Sequence, residues 1–196
     1  MSLKKLLLII LMVFVFAGIF CLIPAKKVVS VSNRKNPSQR FYSAEAYRYG
    51  FIISYTHSVN KGRVHDFYKC ANDGELVLEK THFVSYGAGI PEPEETPGAE
   101  FELIDNCYII SNLNRKIPSL VMAVGIIANH SFASADLFDS AKKTGSNNTE
   151  SDYKNIPGEL FLTDYFEPQT SLILKIKNVN LIDYLIHKVR RSKWTN

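Results

Sequence analysis

The stretch that decides the fold is residues 49–70, "YGFIISYTHSVNKGRVHDFYKC". The segment 49–58 alternates loosely and is rich in tyrosine, isoleucine and phenylalanine, which predicts a strand. Asn60-Lys61-Gly62 is a turn signal, and 63–70 predicts the returning strand of a hairpin. The sequence therefore predicts an antiparallel hairpin, with His57 and Ser58 where its first strand ends.

Similar strand patterns continue on both sides of this hairpin. Asn72-Asp73-Gly74 is another turn signal, and the alternation in 75–85 predicts a third strand of a meander. Further strands are predicted at 28–31, 101–111, 121–128, 158–163 and 171–179, and a short amphipathic helix or strand extension at 181–188. Residues 28–190 are thus expected to be mainly β, as an antiparallel sandwich or open barrel of about eight short strands.

The N-terminus differs from the rest of the chain. Residues 6–23 contain no charged side chain, and Lys26 and Lys27 follow them. Such a segment is long enough to span a bilayer as a helix. A cleaved signal peptide is the alternative, but the bulky Phe20 and Leu22 make a poor cleavage site. We therefore expect residues 1–27 to be a single-pass signal-anchor in the cell membrane, with an extracytoplasmic domain after it.

Charge and composition narrow the class of protein. The chain is 46% hydrophobic and 21% charged, which is ordinary for a globular protein. Part of its net charge of +4 comes from the lysines around 6–23 and from a basic C-terminus that ends in a tail at 191–196. The body of the domain is nearly neutral, which argues against a nucleic-acid partner. Residues 134–155 are polar and predict a flexible insertion, with one helical turn near 136–141.

Two cysteines, Cys70 and Cys107, lie outside the N-terminal segment. Outside the cytoplasm, such an even pair is expected to form a disulfide. The alternative is two buried thiols. No CxxC motif is present, so the cysteines do not indicate a zinc site.

Three groups of residues could form a site. His57 and Ser58 are neighbours on a strand and point to opposite faces, so His57 does not readily activate Ser58. His57, Asp66 and His130 could form a metal or acid–base cluster if the fold brings them together. The alternative for each histidine is a hydrogen-bonded structural role.

The segment "SYGAGIP" at 85–91 is the third group. Gly87 and Gly89 let the backbone turn tightly and expose its N–H groups, which could hold an anion or carboxylate beside Ser85. The alternative is a plain tight turn between strands. Neither a P-loop nor a dinucleotide fingerprint is present, because no GK[ST] follows and no βαβ unit surrounds the glycines.

Several of these motifs recur together in a known family. "YTHSV" at 55–59 with Asp66 and Tyr68, "FVSYGAGIP" at 83–91, "VGIIANH" at 124–130 and "GELFLTDYFEPQTSLILKI" at 158–176 resemble the bacterial domain-of-unknown-function family 1850 (DUF1850). The resemblance covers about residues 45–180. It carries over six positions, which are His57, Ser58, Gly87, Gly89, Pro91 and His130. Asp66 stands where family members often have glutamate, and the polar stretch 134–155 departs from the compact family pattern.

The resemblance implies a small, membrane-anchored, extracytoplasmic protein whose gene often lies beside those of TRAP transporters of the TAXI type. No enzymatic activity is established for that family. We therefore expect an accessory or binding domain of a TRAP-type solute transport system, with the permease or solute-binding protein as partner, and neither catalysis nor a cofactor. The expected binding site comprises His57, Ser58, Asp66, Ser85, Gly87, Gly89 and His130.

Two alternatives remain open at this point. One is a metal-assisted enzyme of the cell envelope that uses His57, Asp66 and His130. The other is a purely structural interaction module, in which His57 and His130 contribute to stability alone.

Overall fold

The computed structural model of the chain describes residues 2–59, 61–83, 96–104, 107–138, 156 and 158–189. The helices that lie wholly within the described residues include α1 (Leu3–Leu22), α2 (Ala44–Tyr49) and α3 (Leu181–His187). The strands are β1 (Lys26–Asn33), β2 (Arg40–Ser43), β3 (Phe51–Thr56), β4 (Arg63–Cys70), β5 (Leu76–Phe83), β6 (Glu100–Ile104), β7 (Cys107–Ser111), β8 (Arg115–Ile117), β9 (Leu120–Ala123), β10 (Ser131–Ser134), β11 (Leu160–Phe161) and β12 (Ser171–Val179).

The strands form two open antiparallel sheets, which confirms the mainly β prediction. The smaller sheet has the order β2-β1-β12-β9. The larger has the order β11-β10-β3-β4-β5-β7-β6, and β8 pairs with the far end of β5. The ladders between these strands are antiparallel, as expected for a domain whose strands are joined by turns and short loops.

The β3–β4 hairpin forms as predicted. Phe51 pairs with Tyr68, and Thr56 pairs with Arg63. The strand β3 ends at Thr56, so His57 and Ser58 lie in the turn and not on the strand. Side chains alternate between two faces along both strands, which separates the residues that face the smaller sheet from those on the outer face.

The core lies between the two sheets. Phe132 and Phe51 of the larger sheet stack with ring centroids 5.5 Å apart, and Phe41 of the smaller sheet meets Phe132 edge-on at the same separation. Leu172 and Leu174 of β12 are fully buried in the same cluster. Because each sheet buries one face against the other, the alternating strands become stable only when both sheets are present.

Two strand predictions were wrong in extent. The segment 101–111 holds two paired strands, β6 and β7, instead of one. In 121–128 only β9 is a strand, and Ile126 and Ile127 beyond it are exposed. Val124 is still held beside β12, because its N–H donates to the Thr170 carbonyl, and the chain leaves the sheet in the turn at 126–129, where Asn129 takes a left-handed φ of 45°. An apolar run alone does not distinguish a buried strand from such a loop.

The helix α2 was not predicted. Ser43 caps it, with the Ala46 N–H donating to the Ser43 Oγ at 3.0 Å. Gly50 ends the helix at φ +89°, and its N–H donates to the Ala46 carbonyl. The short helix therefore links β2 of the smaller sheet to β3 of the larger one.

The N-terminal segment forms a helix, α1, whose apolar side chains such as Leu7, Val13 and Phe16 are exposed. The helix includes Lys4 and Lys5, which the predicted apolar segment left out. Among the described residues, no helix combines the length and apolar character needed to cross a membrane, which corrects the predicted transmembrane segment.

The predicted disulfide is also corrected, because Cys70 is a free thiol. Cys70 pairs with Leu76 at one end of β5, whereas Cys107 adjoins Tyr108, which pairs with Phe83 at the other end. At about 3.3 Å per residue, these ends are roughly 20 Å apart, and a disulfide needs Cα atoms within about 7 Å. Burial raises the pKa of the Cys70 thiol to about 12.

The predicted insertion begins inside the sheet. Residue 134 is the last of β10, and residues 135–138 are helical, in keeping with the predicted helical turn. The rest of the insertion, apart from Ile156 just beyond it, and the basic tail 191–196 lie outside the described residues.

The order of the strands gives the domain two ends. Residues 26 and 27 and the helix α2 lie at one end, where α1 leads into β1 and α2 leads into β3. The β3–β4 turn and the loop 124–130 lie at the other, where the Thr56 N–H donates to the Ala128 carbonyl at 2.7 Å. We call this turn and this loop together the distal tip.

Candidate functional site

The His57-Ser58 pair lies in the turn of the distal tip. The His57 N–H donates to the Gly62 carbonyl at 2.9 Å, and the Lys61 N–H donates to the His57 carbonyl at 3.2 Å. The Nδ1 of His57 accepts a hydrogen bond from the Val59 N–H at 3.3 Å. Ser58 is exposed. The imidazole of His57 therefore helps to fix the shape of the turn that presents Ser58 and Val59 to solvent.

His130 has a similar role in the loop of the distal tip. The Gly125 N–H donates to the Nδ1 of His130 at 3.2 Å, and the Asn129 N–H donates to the Gly125 carbonyl at 3.0 Å. Burial, and then the nearby charge of Arg63, lower the pKa of His130. A neutral imidazole can accept a hydrogen bond at Nδ1, so the lowered pKa agrees with this contact.

Arg63 joins this loop to the larger sheet. Its guanidinium donates to the Asn129 carbonyl at 2.7 Å, to the Ser131 Oγ at 2.8 Å and to the Glu159 Oε1 at 3.1 Å. The Ser131 hydroxyl donates to the same Glu159 oxygen at 2.7 Å. The Arg63 and Glu159 side chains are only 15% and 13% exposed. We call Arg63, Ser131 and Glu159 the Arg63 cluster, and its charges compensate each other.

Asp66 lies on the opposite face of β4, toward the smaller sheet. The Thr81 hydroxyl donates to the Asp66 Oδ1 at 2.6 Å, and the Tyr55 hydroxyl is a second hydrogen-bond partner. Burial raises the pKa of Asp66 to about 6, against the lowering effect of these two hydrogen bonds. The ring of His130 lies 5.8 Å from that of Tyr55, centroid to centroid. Tyr55 thus lies between Asp66 and His130, which the sequence placed in one site.

A serine–histidine pair that the sequence did not indicate lies on the outer face of the larger sheet. Ser54 on β3 is directly opposite His65 on β4, and the Ser54 Oγ is 2.7 Å from the His65 Nδ1. His82 on β5 is opposite His65, and Ser131 on β10 is opposite Ser54. These four side chains form a polar row across four strands, and all four are buried. A nucleophile and a base are within reach of each other here, but a substrate does not reach them from solvent.

The predicted site is therefore assembled only in part. Asp66 and His130 lie on either side of Tyr55, while His57 and Ser58 lie in the turn of the distal tip. Ser85, Gly87 and Gly89, with Pro91, lie outside the described residues. The predicted anion-binding turn therefore stays a prediction.

The metal-assisted alternative needs His57, Asp66 and His130 in one cluster. In the described part of the chain, no group of three or more histidine, cysteine, aspartate or glutamate side chains could hold a metal ion. His57 is held in its own turn, and Asp66 faces Thr81 and Tyr55. This alternative is therefore wrong for the three residues proposed.

We expect Asp66→Asn to flatten the dependence of stability on pH between about 4 and 6. The pKa of Asp66 is raised to about 6 from its ordinary value of 3.8, so the folded state binds this proton more tightly than the unfolded chain. Protonated Asp66 contributes up to about 3 kcal/mol to the free energy of unfolding. This contribution is complete below pH 4 and is lost as the pH rises through 6.

Urea unfolding at several pH values, followed by circular dichroism, measures this effect. The exposed Asp164→Asn is the matched control and should keep the wild-type slope. An Asp66→Asn variant with an unchanged slope would mean that Asp66 titrates normally in the folded state.

The buried polar row depends on the register of the β3–β4 hairpin, which the turn signal at 60–62 does not fix. In a hairpin, the numbers of paired residues have a constant sum, and strands that enclose only the predicted turn 60–62 would give 122, whereas the observed pairs sum to 119. Pairing Thr56 with Arg63 places Ser54 opposite His65. No local signal connects Arg63 to Glu159 either, because these residues are brought together by the pairing of β10 with β3 and β11.

Comparisons with known proteins support the family resemblance. A search of curated proteins finds no match, and a search of solved structures finds none. The family model described as "Domain of unknown function (DUF1850)" matches residues 51–137. This range is shorter than the predicted 45–180 and includes Ser54, Arg63, His65, Asp66 and His130. Residues 51–137, from the start of β3 to the helical segment after β10, are a DUF1850 domain.

Proposed function

We propose that this protein is an extracytoplasmic accessory domain, held at a membrane by its N-terminal part, that binds a protein partner through its distal tip. Following the family resemblance, we propose that the partner is a component of a TRAP-type solute transport system. The observation that carries the proposal is the apolar surface of the tip. Val59, Ile126 and Ile127 are 64%, 71% and 81% exposed, in two loops joined by a hydrogen bond.

Exposed aliphatic side chains of this kind are typical of protein-contact surfaces when they are clustered and surrounded by polar groups. His57 and Ser58 adjoin Val59 in the turn, and Asn129 and His130 follow Ile127 in the loop. Arg63 holds the Asn129 carbonyl, and the Val124 N–H and carbonyl both bond to the segment 169–170. The tip is thus fixed at several points, which lowers the entropy lost on binding.

Binding accounts for these polar groups better than catalysis does. The guanidinium of Arg63 is occupied by the Arg63 cluster and by loop carbonyls, and Ser54 and His65 are buried. A catalytic group must reach the reacting atoms of a substrate. The groups with catalytic potential are buried or already hydrogen-bonded, whereas the exposed surface of the distal tip is apolar.

The position of α1 supports the membrane location. The helix precedes β1 directly, and its described aliphatic and aromatic side chains, at 3, 6–16 and 22, are exposed. The distal tip lies at the other end of the domain. A partner in a membrane complex could therefore contact the tip while α1 remains at the bilayer.

The test uses a deletion strain of the bacterial host, complemented with the full-length chain or with variants. Ile126→Ser combined with Ile127→Ser should fail to restore solute uptake. It should also no longer co-purify the TRAP permease or solute-binding protein after crosslinking. Leu103→Ser is the matched control, because Leu103 is 59% exposed on β6 and lies outside the tip. Normal uptake in the deletion strain, together with no transport component in the purified complex, would rule the proposal out.

A further inference from the structure

A basic cleft opens where α1 runs into the domain. It has a volume of about 730 Å³. Its walls come from the start of β1, from α2 and from the end of β4, and include Lys26, Lys27, Arg48, Tyr47 and Tyr49. The cleft therefore lies at the end of the domain opposite the distal tip, beside the exposed helix.

Each cation of the cleft lies over a tyrosine ring. The Lys27 Nζ is 5.7 Å from the centroid of Tyr47, and the Arg48 guanidinium carbon is 5.2 Å from that of Tyr49. Arg48 and Tyr49 are exposed. A ring contact holds a cation in place without neutralising it, so positive charge remains directed at solvent. Glu45 also lines the cleft, which leaves it with a positive balance.

The helix α3 extends this surface with an apolar face. Leu181, Ile182, Leu185 and Ile186 are 45–69% exposed, and their spacing places them on one side of the helix. The helix contacts α1. The Lys26 Nζ lies 5.4 Å from the ring centroid of Tyr184, on the inner side of α3, which places the basic cleft beside this helix.

We propose that this end of the domain docks on a bilayer that contains anionic lipid. The apolar face of α3 enters the boundary between headgroups and acyl chains, and Lys26, Lys27 and Arg48 contact the headgroup phosphates. The inference rests on the proposed membrane location and adds a second contact, made by the domain itself. Apolar helix faces flanked by cations and tyrosines are the chemistry that a membrane interface accepts.

Charge and continuity favour a membrane over a protein at this surface. Lysine and arginine side chains near an anionic bilayer are attracted to its surface even where they make no direct contact with a headgroup. Here three of them lie in and around the cleft beside α3, and α3 contacts α1, whose described apolar side chains are exposed. A protein-binding core is instead depleted in lysine. The orientation that results directs the distal tip away from the bilayer.

The test uses the full chain reconstituted with vesicles of phosphatidylcholine alone or of phosphatidylcholine mixed with phosphatidylglycerol. Flotation first measures membrane association, and hydrogen exchange then follows the amides of residues 181–189. We expect the chain to float with both vesicle types. We expect exchange in α3 to slow roughly tenfold or more with the anionic vesicles, because three cations strengthen the contact. High salt should remove this difference.

The variant Lys26→Gln/Lys27→Gln/Arg48→Gln should show the same exchange with both vesicle types. All three residues are exposed, so the variant should fold normally. The control Arg34→Gln/Lys35→Gln/Lys61→Gln removes as much charge from exposed positions near the other end and should keep the wild-type difference.

The outcomes separate the two proposals. If the chain floats with neither vesicle type, the proposed membrane location and this inference are both overturned. Flotation with equal exchange in both compositions would overturn the inference alone. Equal protection of α3 with neutral vesicles, or in detergent, would mean that another copy of the chain or a different protein covers it. If the control variant also loses the difference in α3 exchange between the two vesicle types, the net charge of the chain, and not this surface, causes that difference.

Discussion

Replacing Arg63 with methionine should lower the free energy of unfolding by about 3–5 kcal/mol. The change leaves the Glu159 carboxylate, which is 13% exposed, without its cation in a poorly solvated position. It also removes the donor to the Asn129 carbonyl. Because that carbonyl belongs to the loop of the distal tip, amides in 124–130 should exchange faster as well. Urea unfolding of the full chain in mild detergent, with hydrogen exchange, measures both effects.

Two further variants show whether the charge pair is the cause. Arg63→Met combined with Glu159→Gln should recover part of the lost stability, since no unpaired charge remains. Lys69→Met removes one partner of the exposed Lys69–Glu79 ion pair and should cost at most about 1 kcal/mol. If Arg63→Met costs no more than Lys69→Met, the Arg63 cluster does not hold the loop to the sheet.

Replacing Gly50 with alanine should cost roughly 3–5 kcal/mol, because two unfavourable terms combine. Gly50 has φ +89° and ψ 176°, a region that costs other residues about 1–3 kcal/mol. A Cβ atom there would lie 2.5 Å from the Tyr68 carbonyl oxygen, which belongs to the neighbouring strand. Relieving this overlap requires β3 and β4 to shift, at about 1–3 kcal/mol more.

Gly74→Ala is the matched control for this change. Gly74 has φ +92°, but nothing lies within 4 Å of the position its Cβ would take. It should therefore show the backbone strain without the overlap. The difference between the two variants in free energy of unfolding, measured with urea, reports the steric overlap between a Cβ at position 50 and β4. Equal losses for both would contradict the contact with Tyr68.

Local patterns in the sequence were sufficient to predict much of the fold. The strand 63–70 and the strand 171–179 match β4 and β12, and of the two alternatives for 181–188, a helix or a strand extension, the helix matches α3 within a residue. Each of these elements has alternating or helical apolar spacing, bounded by turn or capping residues such as Asn180. The family motifs were also local, so the resemblance could be recognised from short segments.

The predictions that failed required long-range information. Cys70 and Cys107 form an even pair in the sequence, but β5 separates them by its length. Ile126 and Ile127 continue an apolar run, but they leave the sheet in the loop of the distal tip. Apolar character in a segment gives no information about which neighbour covers it.

The candidate site, like the fold, depends partly on local sequence patterns and partly on long-range contacts. The sequence by itself determined the mainly β fold class, the β3–β4 hairpin and the resemblance to the DUF1850 family. Only the tertiary structure decided that Asp66 and His130 adjoin Tyr55, that His57 belongs to a turn, and that Arg63 meets Glu159. The reason is physical. Backbone preferences and side-chain alternation act over a few residues, whereas the pairing of β3, β4 and β10 brings together side chains up to 96 residues apart.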